Sequence, residues 1–450
     1  MSGADRAAGA SALFTDLYEL SMAQVYVAEG LDAPADFELF FRQLGDERGY
    51  VLAAGLETVL AWLEAFAFAD AEIDFLRSLG YFSESFLEWL AALRFTGDVD
   101  AMPEGTAVFP NEPLLRVRAP IAQAQILETR ILNALHYESL VMTKAARMVE
   151  AAGGRGVVDF GARRAHGTDA AVAAARGAWI AGCGGTSNMI AGQRFGLPVV
   201  GTMAHSYIES YADEETAFRT FAAHYPETTL LVDTYDTRTG VLRVIRLAQT
   251  LGDDFRVRAI RIDSGDLATL SREARRMLDE AGLNQVRIMV SGGLSEHRIA
   301  SLVADGAPID GFGVGTDLVV SRDSPTLDFA YKLVAYEDEP RLKSSSGKAT
   351  LPGRKQVYRQ WRAGAMAGDT IATEAESAPG EPLLQPVMRA GQRLQPAESL
   401  AALRRRAQAQ REALPAALRR LSPAQSQYPV SVGDQLQRLT ERLTAAHRST

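Results

Sequence analysis

Two glycine-bearing segments, Ser291-Gly292-Gly293 and Gly313-Val314-Gly315-Thr316, each follow an apolar run. Backbone without side chains can turn several N–H groups toward one anion, and the start of a following helix adds its dipole, so phosphate is the ligand they suggest together. Either segment alone reads as a tight turn. Matching positive charge stands at Arg163, Arg164 and Arg261, with Lys332 and Lys343 later in the chain. Arg261 sits in an apolar run, where an unpaired charge is costly to bury. Its plain reading is an ion pair with Asp263 or a place at a strand end, and Arg163 and Arg164 read equally well as solvated. Asp263-Ser264-Gly265-Asp266 is a helix start with Ser264 or Asp263 as the cap. Capping does not explain why Arg261 and Asp263 end one strand together; a carboxylate there suits ribose hydroxyls or a magnesium ion. His205, in Gly201-Thr202-Met203-Ala204-His205-Ser206, has no second histidine at ligand spacing. It is therefore either a structural residue or a nucleophile or proton carrier. Tyr18 reads by default as a half-buried aromatic on a helix.

The elements that must position these residues alternate through the middle of the chain. Strands are expected at 156–160, 197–202, 229–232, 257–262, 286–290 and 311–314, and helices at 169–181, 240–251, 266–281 and 295–305. Repeated strand–helix units demand a parallel sheet covered by helices, doubly wound or closed into a barrel. Polar and glycine signals directly after most strands favour a barrel, because a barrel gathers its strand C-termini around one mouth. Those signals are Phe160-Gly161-Ala162-Arg163-Arg164, Thr202 to Ser206, Asp263 to Asp266, Ser291 to Gly293, and Gly315-Thr316-Asp317.

The flanks have another character. A helix at 13–30 is expected to be capped by Thr15 and Asp16. Residues 37–42 alternate as a strand with Phe37, Leu39 and Phe41 on its buried side. Residues 52–93 are helical with a break at Gly80, 97–120 suit a small antiparallel sheet, and 122–149 form a helix. Strand-like pieces at 330–336 and 356–358, joined by a Lys/Ser/Gly-rich connector at 343–348, are placed to rejoin that first sheet. The expected partition is a discontinuous domain of 1–139 plus 321–450 around a barrel of 140–320. Residues 401–411 read as a helix whose Arg404-Arg405-Arg406 is a solvated face.

Composition bounds the answer. The 450 residues are 47% hydrophobic, which rules out global disorder, and 47 basic against 56 acidic side chains give a net charge of −9, which argues against a generic nucleic-acid binder. The single cysteine, Cys183, excludes an intramolecular disulfide and a thiolate zinc cluster, and suits a reducing compartment. The first fourteen residues lack the apolar core of a signal peptide, and no stretch reaches the roughly 18 to 20 apolar residues that span a bilayer, so a cytoplasmic protein is expected.

Six motifs in order carry a resemblance: Thr15-Asp16-Leu17-Tyr18, Phe37-Glu38-Leu39-Phe40-Phe41-Arg42, Asp159-Phe160-Gly161-Ala162-Arg163-Arg164-Ala165, Gly201-Thr202-Met203-Ala204-His205-Ser206, Arg261-Ile262-Asp263-Ser264-Gly265-Asp266 and Gly313-Val314-Gly315-Thr316. Residues 13 to about 358 thereby resemble the nicotinate phosphoribosyltransferase family; beyond about 365 no motif is recognised. The resemblance implies an α/β fold, an irregular α/β barrel with a discontinuous sandwich-like domain built from both ends of the chain. It implies formation of nicotinate mononucleotide and pyrophosphate from nicotinate and phosphoribosyl pyrophosphate, with Mg²⁺ and coupled ATP hydrolysis, in a homodimer with sites completed across the interface. By motif match, Tyr18, Thr202 and Arg261 would contact nicotinate and His205 would be the phosphorylated histidine. Gly292, Gly293, Gly315 and Thr316 would hold the phosphoribosyl phosphate, and Arg163 and Arg164 would stand near the pyrophosphate. Asp263 is the candidate carboxylate near the ribose. The rivals are a nicotinamide- or quinolinate-specific transferase and a non-catalytic sugar-phosphate-binding protein on the same fold.

Overall fold

The computed structural model describes residues 11–345, 350–421 and 427–449. The first ten residues and part of the 343–348 connector, from 346 on, lie outside the described residues. The chain divides into two compact units, Met1–Leu140 with Ser324–Thr450, and Val141–Asp323.

The unit Val141–Asp323 is built on five parallel strands in the order Gly156–Asp159, Gly311–Val314, Arg287–Ser291, Ala259–Ile262 and Thr229–Leu231. Helices Thr168–Ala181, Thr237–Leu251, Leu267–Glu280 and Glu296–Ala304 cover it. Alternation forces this arrangement, since a strand can return parallel only through a crossover. Val157, Ile260, Ile262, Ile288, Val290, Phe312 and Val314 are buried in the sheet, and Leu267, Ala274, Met277 and Leu278 form the inner face of one covering helix.

The strand expected at 197–202 is reduced to a single bridge. Beyond Gly156–Asp159 the sheet continues only as the parallel bridges Asp159 to Thr186 and Thr186 to Val199. Pro198 has no N–H to give a ladder, and Gly196 takes the left-handed conformation at φ +65°, so a continuous strand cannot form there. Among the described residues, backbone pairing does not join Val199 to Thr229–Leu231, so the expected barrel is seen as a parallel sheet that does not close. The helix expected at 266–281 starts at Leu267, and its cap is Asp266, which accepts the N–H groups of Ala268 and Thr269; Asp263 and Ser264 are engaged elsewhere.

The other unit holds a seven-stranded sheet, Glu339–Pro340, Phe329–Tyr336, Pro34–Phe41, Leu115–Pro120, Asp98–Ala101, Gln385–Arg389 and Gln392–Arg393. Phe329–Tyr336 rejoins the early strands as expected, with Leu39 opposite Tyr331. The piece at 356–358 does not. It belongs to Lys355–Arg362, which turns back at Ala363-Gly364 to pair with Ala365–Thr373 in a second sheet with Glu381–Pro382 and Val430–Val432. That second sheet changes the reading of Pro34–Phe41, which is buried on both faces rather than one. Asp36 and Glu38 on the second face are fully buried, Asp36 against Arg118 at 2.7 Å and Glu38 against Lys355 at 2.8 Å. Burial pushes the Asp36 carboxyl up, and three arginines only partly offset it.

Smaller corrections have local causes. The run 52–93 is three helices, Leu56–Glu64, Asp70–Ser78 and Glu84–Ala92, and 122–149 is Ile121–Gln125 followed by Glu128–Ala151. The first helix is Leu17–Ala28, and Asp16 makes no side-chain cap. Thr15 donates instead to Glu19 at 2.6 Å, and Asp16 accepts from Thr129 at 2.9 Å. In the Leu400–Ala413 helix, Arg406 is not merely solvated: it grips Glu398 through two hydrogen bonds of 2.8 and 2.6 Å. No helix among the described residues is long and apolar enough to cross a membrane.

The second sheet is pinned by Arg359 and Asp369, both fully buried and joined by bonds of 3.0 and 2.6 Å. Tyr428 donates to the same carboxylate at 2.8 Å and stacks on Phe109. Glu112, beside them, is held well above the usual carboxylate range by burial and by the Asp369 charge. Removing one partner of such a pair strands a buried charge. Asp369→Ala should therefore destabilise the protein by about 3–5 kcal/mol, seen as a lower urea midpoint for loss of the C-terminal sheet. An unchanged midpoint would show that solvent reaches Arg359.

Candidate active site

The strand C-termini of the Val141–Asp323 unit surround a cavity of about 950 Å³. Arg163, Arg164, Thr202, His205, Arg261, Asp263, Gly292, Gly293, Gly315 and Thr316 all line it. Ten of the residues singled out from sequence thus stand around one space.

Each is positioned by its strand. After Gly156–Asp159 the chain enters the tight turn Ala162–Arg164 because Asp159 reaches forward: it accepts the Gly161 N–H at 2.8 Å and the Thr186 hydroxyl at 2.7 Å. Burial raises the Asp159 carboxyl, and these two hydrogen bonds oppose the shift. A Cβ at Gly161 would lie 2.2 Å from Val319, so the turn packs directly on the loop after Gly311–Val314. Arg163 and Arg164 are exposed on this turn, and among the described residues neither has an ion-pair partner.

Arg261 occupies the inward side of Ala259–Ile262. The expected pair with Asp263 is not formed. One guanidinium nitrogen donates to the Met203 carbonyl at 3.2 Å, and its Nε is buried with no partner. Burial lowers its pKa, with Asp263 and Asp233 pulling the other way and Arg163 adding to the fall. Asp263 is held instead by the Ser291 hydroxyl, and its own N–H donates to Asp233 at 2.9 Å. His205 opens the short helix His205–Glu209, and its Nδ1 lies 3.1 Å from the Thr234 hydroxyl. Thr202 donates to the carbonyl of Met203 at 3.1 Å.

The glycines meet hard steric limits. Gly292 has φ +87°, and a Cβ there would lie 1.9 Å from the Asp263 carbonyl oxygen. A Cβ at Gly313 would lie 2.6 Å from the Phe160 ring. Backbone N–H groups can approach an anion here because no side chain intervenes.

Three residues fall elsewhere. Tyr18 belongs to the other unit, on Leu17–Ala28, half exposed, and does not line this cavity. Its hydroxyl bonds to Glu128, and burial with that carboxylate pushes its pKa up. Lys332 and Lys343 are in the same unit, Lys332 paired to Glu128 at 3.1 Å. Sequence reading missed Asp233 and Thr234, which directly follow the 229–232 strand. Their signal was present in Asp233-Thr234-Tyr235-Asp236, a polar tail like the five that were counted. Asp317 stood in the Gly315-Thr316-Asp317 signal without a role, and Arg322 was missed; the two form a 2.6 Å ion pair on the cavity wall.

No group of three or more metal-ligating side chains occurs among the described residues. The cavity does offer the carboxylates of Asp263 and Asp317. That donor set fits Mg²⁺, which takes one or two protein carboxylates and completes its shell with water and substrate phosphate.

Comparison with known proteins covers nearly the whole chain. Profiles of the nicotinate phosphoribosyltransferase N-terminal domain, the nicotinate phosphoribosyltransferase family and the C-terminal domain match residues 13–136, 156–354 and 379–440. The last match supplies an assignment for the stretch beyond 365 that carried no recognised motif. A nicotinate phosphoribosyltransferase of Mycobacterium tuberculosis is 55% identical over 426 residues, 94% of this chain and 92% of that one. One from Bacillus subtilis is 47% identical over 356 residues, 77% and 72% of the two chains. The crystal structure of human nicotinic acid phosphoribosyltransferase superposes with a TM-score of 0.85 at 31% identity, covering 95% of this chain and 99% of that one. With a glycine cradle, arginines and a histidine round one cavity, family matches along most of the chain and a backbone shared with the human structure over 95% of its length, the chain belongs to the nicotinate phosphoribosyltransferase family.

Proposed function

We propose that this chain joins nicotinate to the phosphoribosyl group of phosphoribosyl pyrophosphate, releasing pyrophosphate and forming nicotinate mononucleotide, with ATP hydrolysis coupled to the transfer. The observation that carries this reading is the buried, unpartnered Nε of Arg261 within the same cavity as the glycine cradle. A buried guanidinium donor left without a protein acceptor suits a ligand carboxylate, and nicotinate has one.

The chemistry follows from the charges. The pyridine nitrogen attacks the ribose carbon as the bond to pyrophosphate breaks; positive charge develops on the sugar in the transition state and ends on the pyridinium nitrogen, while the bonding electrons leave with pyrophosphate. Arg163 and Arg164, which line the cavity without an ion-pair partner among the described residues, meet the pyrophosphate, and Asp263 faces the ribose. Gly292, Gly293, Gly315 and Thr316 take the 5-phosphate, and Arg261 with Thr202 orients nicotinate. Mg²⁺, bound through Asp263 and the substrate's own oxygens, would supply countercharge to the leaving group. ATP would transfer its terminal phosphoryl group to His205, and the Thr234 contact holds the imidazole for that step. Phosphohistidine then adds negative charge beside the pyrophosphate site, and its hydrolysis drives the cycle forward. A homodimer is part of the proposal, supported by half-exposed apolar Leu17, Tyr18, Met22 and Val25 on one helix. A reducing cytoplasmic setting is supported by the lone, buried Cys183.

The assay offers nicotinate, nicotinamide or quinolinate with phosphoribosyl pyrophosphate and Mg²⁺, with and without ATP, and identifies products by mass. Mononucleotide from nicotinate alone, faster with ATP, is the expected result; a product from another base, or none, rejects the proposal. His205→Ala should lose the ATP stimulation while circular dichroism stays unchanged. Persistent stimulation would remove His205 from its role. Arg261→Ala should raise the nicotinate KM roughly 10- to 100-fold, the worth of a charge-assisted hydrogen bond. The KM for phosphoribosyl pyrophosphate should move less than about threefold; equal losses for both substrates would reassign the residue.

A further inference from the structure

Next in sequence to the lining residues Ser295 and Arg322 stand Glu296 and Asp323, two of four buried charges that the proposed reaction does not use. Lys144 Nζ is 2.5 Å from Glu296 and 3.0 Å from Asp323, and Arg147 Nε is 3.1 Å from Glu296 and 3.7 Å from Asp323. The four side chains are 0 to 3% exposed. Two cations balance two carboxylates, which makes the burial tolerable. Stability alone is a poor reason to keep them, since well-packed apolar side chains in the same space commonly do as well or better. The terminal nitrogens of Arg147 also have no partner among the described residues.

What the cluster does is join three places. Lys144 and Arg147 lie one turn apart on the helix Glu128–Ala151. Glu296 is the first residue of Glu296–Ala304, immediately after the cavity-lining stretch from Gly292 to Ser295. Asp323 follows Arg322, whose guanidinium pairs with Asp317 in the turn Thr316–Val319. The two phosphate-facing loops are thus moored to one rigid helix by the same four charges. The cluster's charges are felt at the cavity wall: burial raises the Asp317 carboxyl, Lys144 and Arg322 oppose that rise, and Glu296 adds to it.

We infer that Glu296 is a positioning residue for the proposed transferase, setting with Lys144, Arg147 and Asp323 the spacing between the Gly292-Gly293 loop and the Gly315-Thr316 turn so that both meet one phosphate. This rests on the phosphoribosyl reading of the cavity. Rotational freedom in either loop would scatter the N–H groups and weaken the phosphate while leaving the nicotinate contacts at Arg261 and Thr202 in place.

The test uses the full chain carrying Glu296→Gln, and a second variant, Glu296→Gln with Lys144→Met, that keeps the buried charges balanced if the single change fails to fold. Steady-state kinetics are measured for both substrates, and binding of ribose 5-phosphate is measured by calorimetry. The expected result is a rise of about tenfold or more in the KM for phosphoribosyl pyrophosphate and a matching loss of ribose 5-phosphate affinity. The nicotinate KM should stay within about threefold of the parent. Parental values for phosphoribosyl pyrophosphate and ribose 5-phosphate, or an equal rise for both substrates, would overturn the inference even with a lowered melting temperature. A parent protein that makes no nicotinate mononucleotide would instead defeat the transferase reading itself.

Discussion

The end of one strand touches the start of the next loop with no room for a side chain: the carbonyl oxygen of Asp263 lies where a Cβ on Gly292 would have to be. This contact joins two halves of the site. It brings the carboxylate that ends Ala259–Ile262 against the cradle that follows Arg287–Ser291, and the Ser291 hydroxyl bonds to that carboxylate. Parallel neighbours with a short stagger are what allow it, since both strands finish at the same rim. An alanine at 292 would force the strand ends apart or the loop out of its left-handed conformation. The other site residues are arranged around a separation this contact determines.

Charge is handled in two opposite ways in the molecule. Arg359 is buried and bonded through all three of its nitrogens, with Asp369, Gln410 and the Ala107 carbonyl accepting four hydrogen bonds. Around the cavity, among the described residues, Arg163 and Arg164 have no ion-pair partner and the buried Nε of Arg261 has no hydrogen-bond partner. Unmade hydrogen bonds at buried groups cost free energy in the folded state. A ligand that satisfies them recovers that cost on binding, so donors withheld from the protein contribute to affinity and orientation.

Much of this arrangement was legible because the residues that make a mouth are poor strand and helix formers. Glycine and charge at a strand's end mark it from both sides, and Gly311–Val314, flanked by Asp310 and Gly315, is found with the bounds expected. The expected strand at 197–202 failed on Pro198, whose missing N–H outweighs two valines. Asp233 and Thr234 escaped because a single polar pair after a short strand looks like any turn. The second sheet was illegible for a different reason. Asp36 and Glu38 look like the wet side of a strand, and only the tertiary arrival of Arg118 and Lys355 makes their burial tolerable. Likewise Arg261 was read as half of an ion pair or a strand-end residue, but the hydroxyl of Ser291, on the neighbouring strand, takes the Asp263 carboxylate.

A chain of net charge −9 that binds a polyanion must confine its attraction. Coulomb forces between exposed groups fade over about 8 Å at physiological salt, so the total matters less than what stands within a few ångströms of the phosphates. Of the lining arginines, Arg163 and Arg164 are exposed, Arg322 is exposed and paired with Asp317, and Arg261 is half-buried with its Nε fully covered. Arg163 and Arg164 suit a mobile, multiply charged leaving group that must depart after reaction, because solvated contacts are weak and quickly exchanged. The covered Nε of Arg261 suits a ligand that must be discriminated by one carboxylate, because an unmatched donor shielded from water is penalised. Burial therefore divides the labour among chemically identical side chains, and exposure alone is enough to separate attraction from recognition.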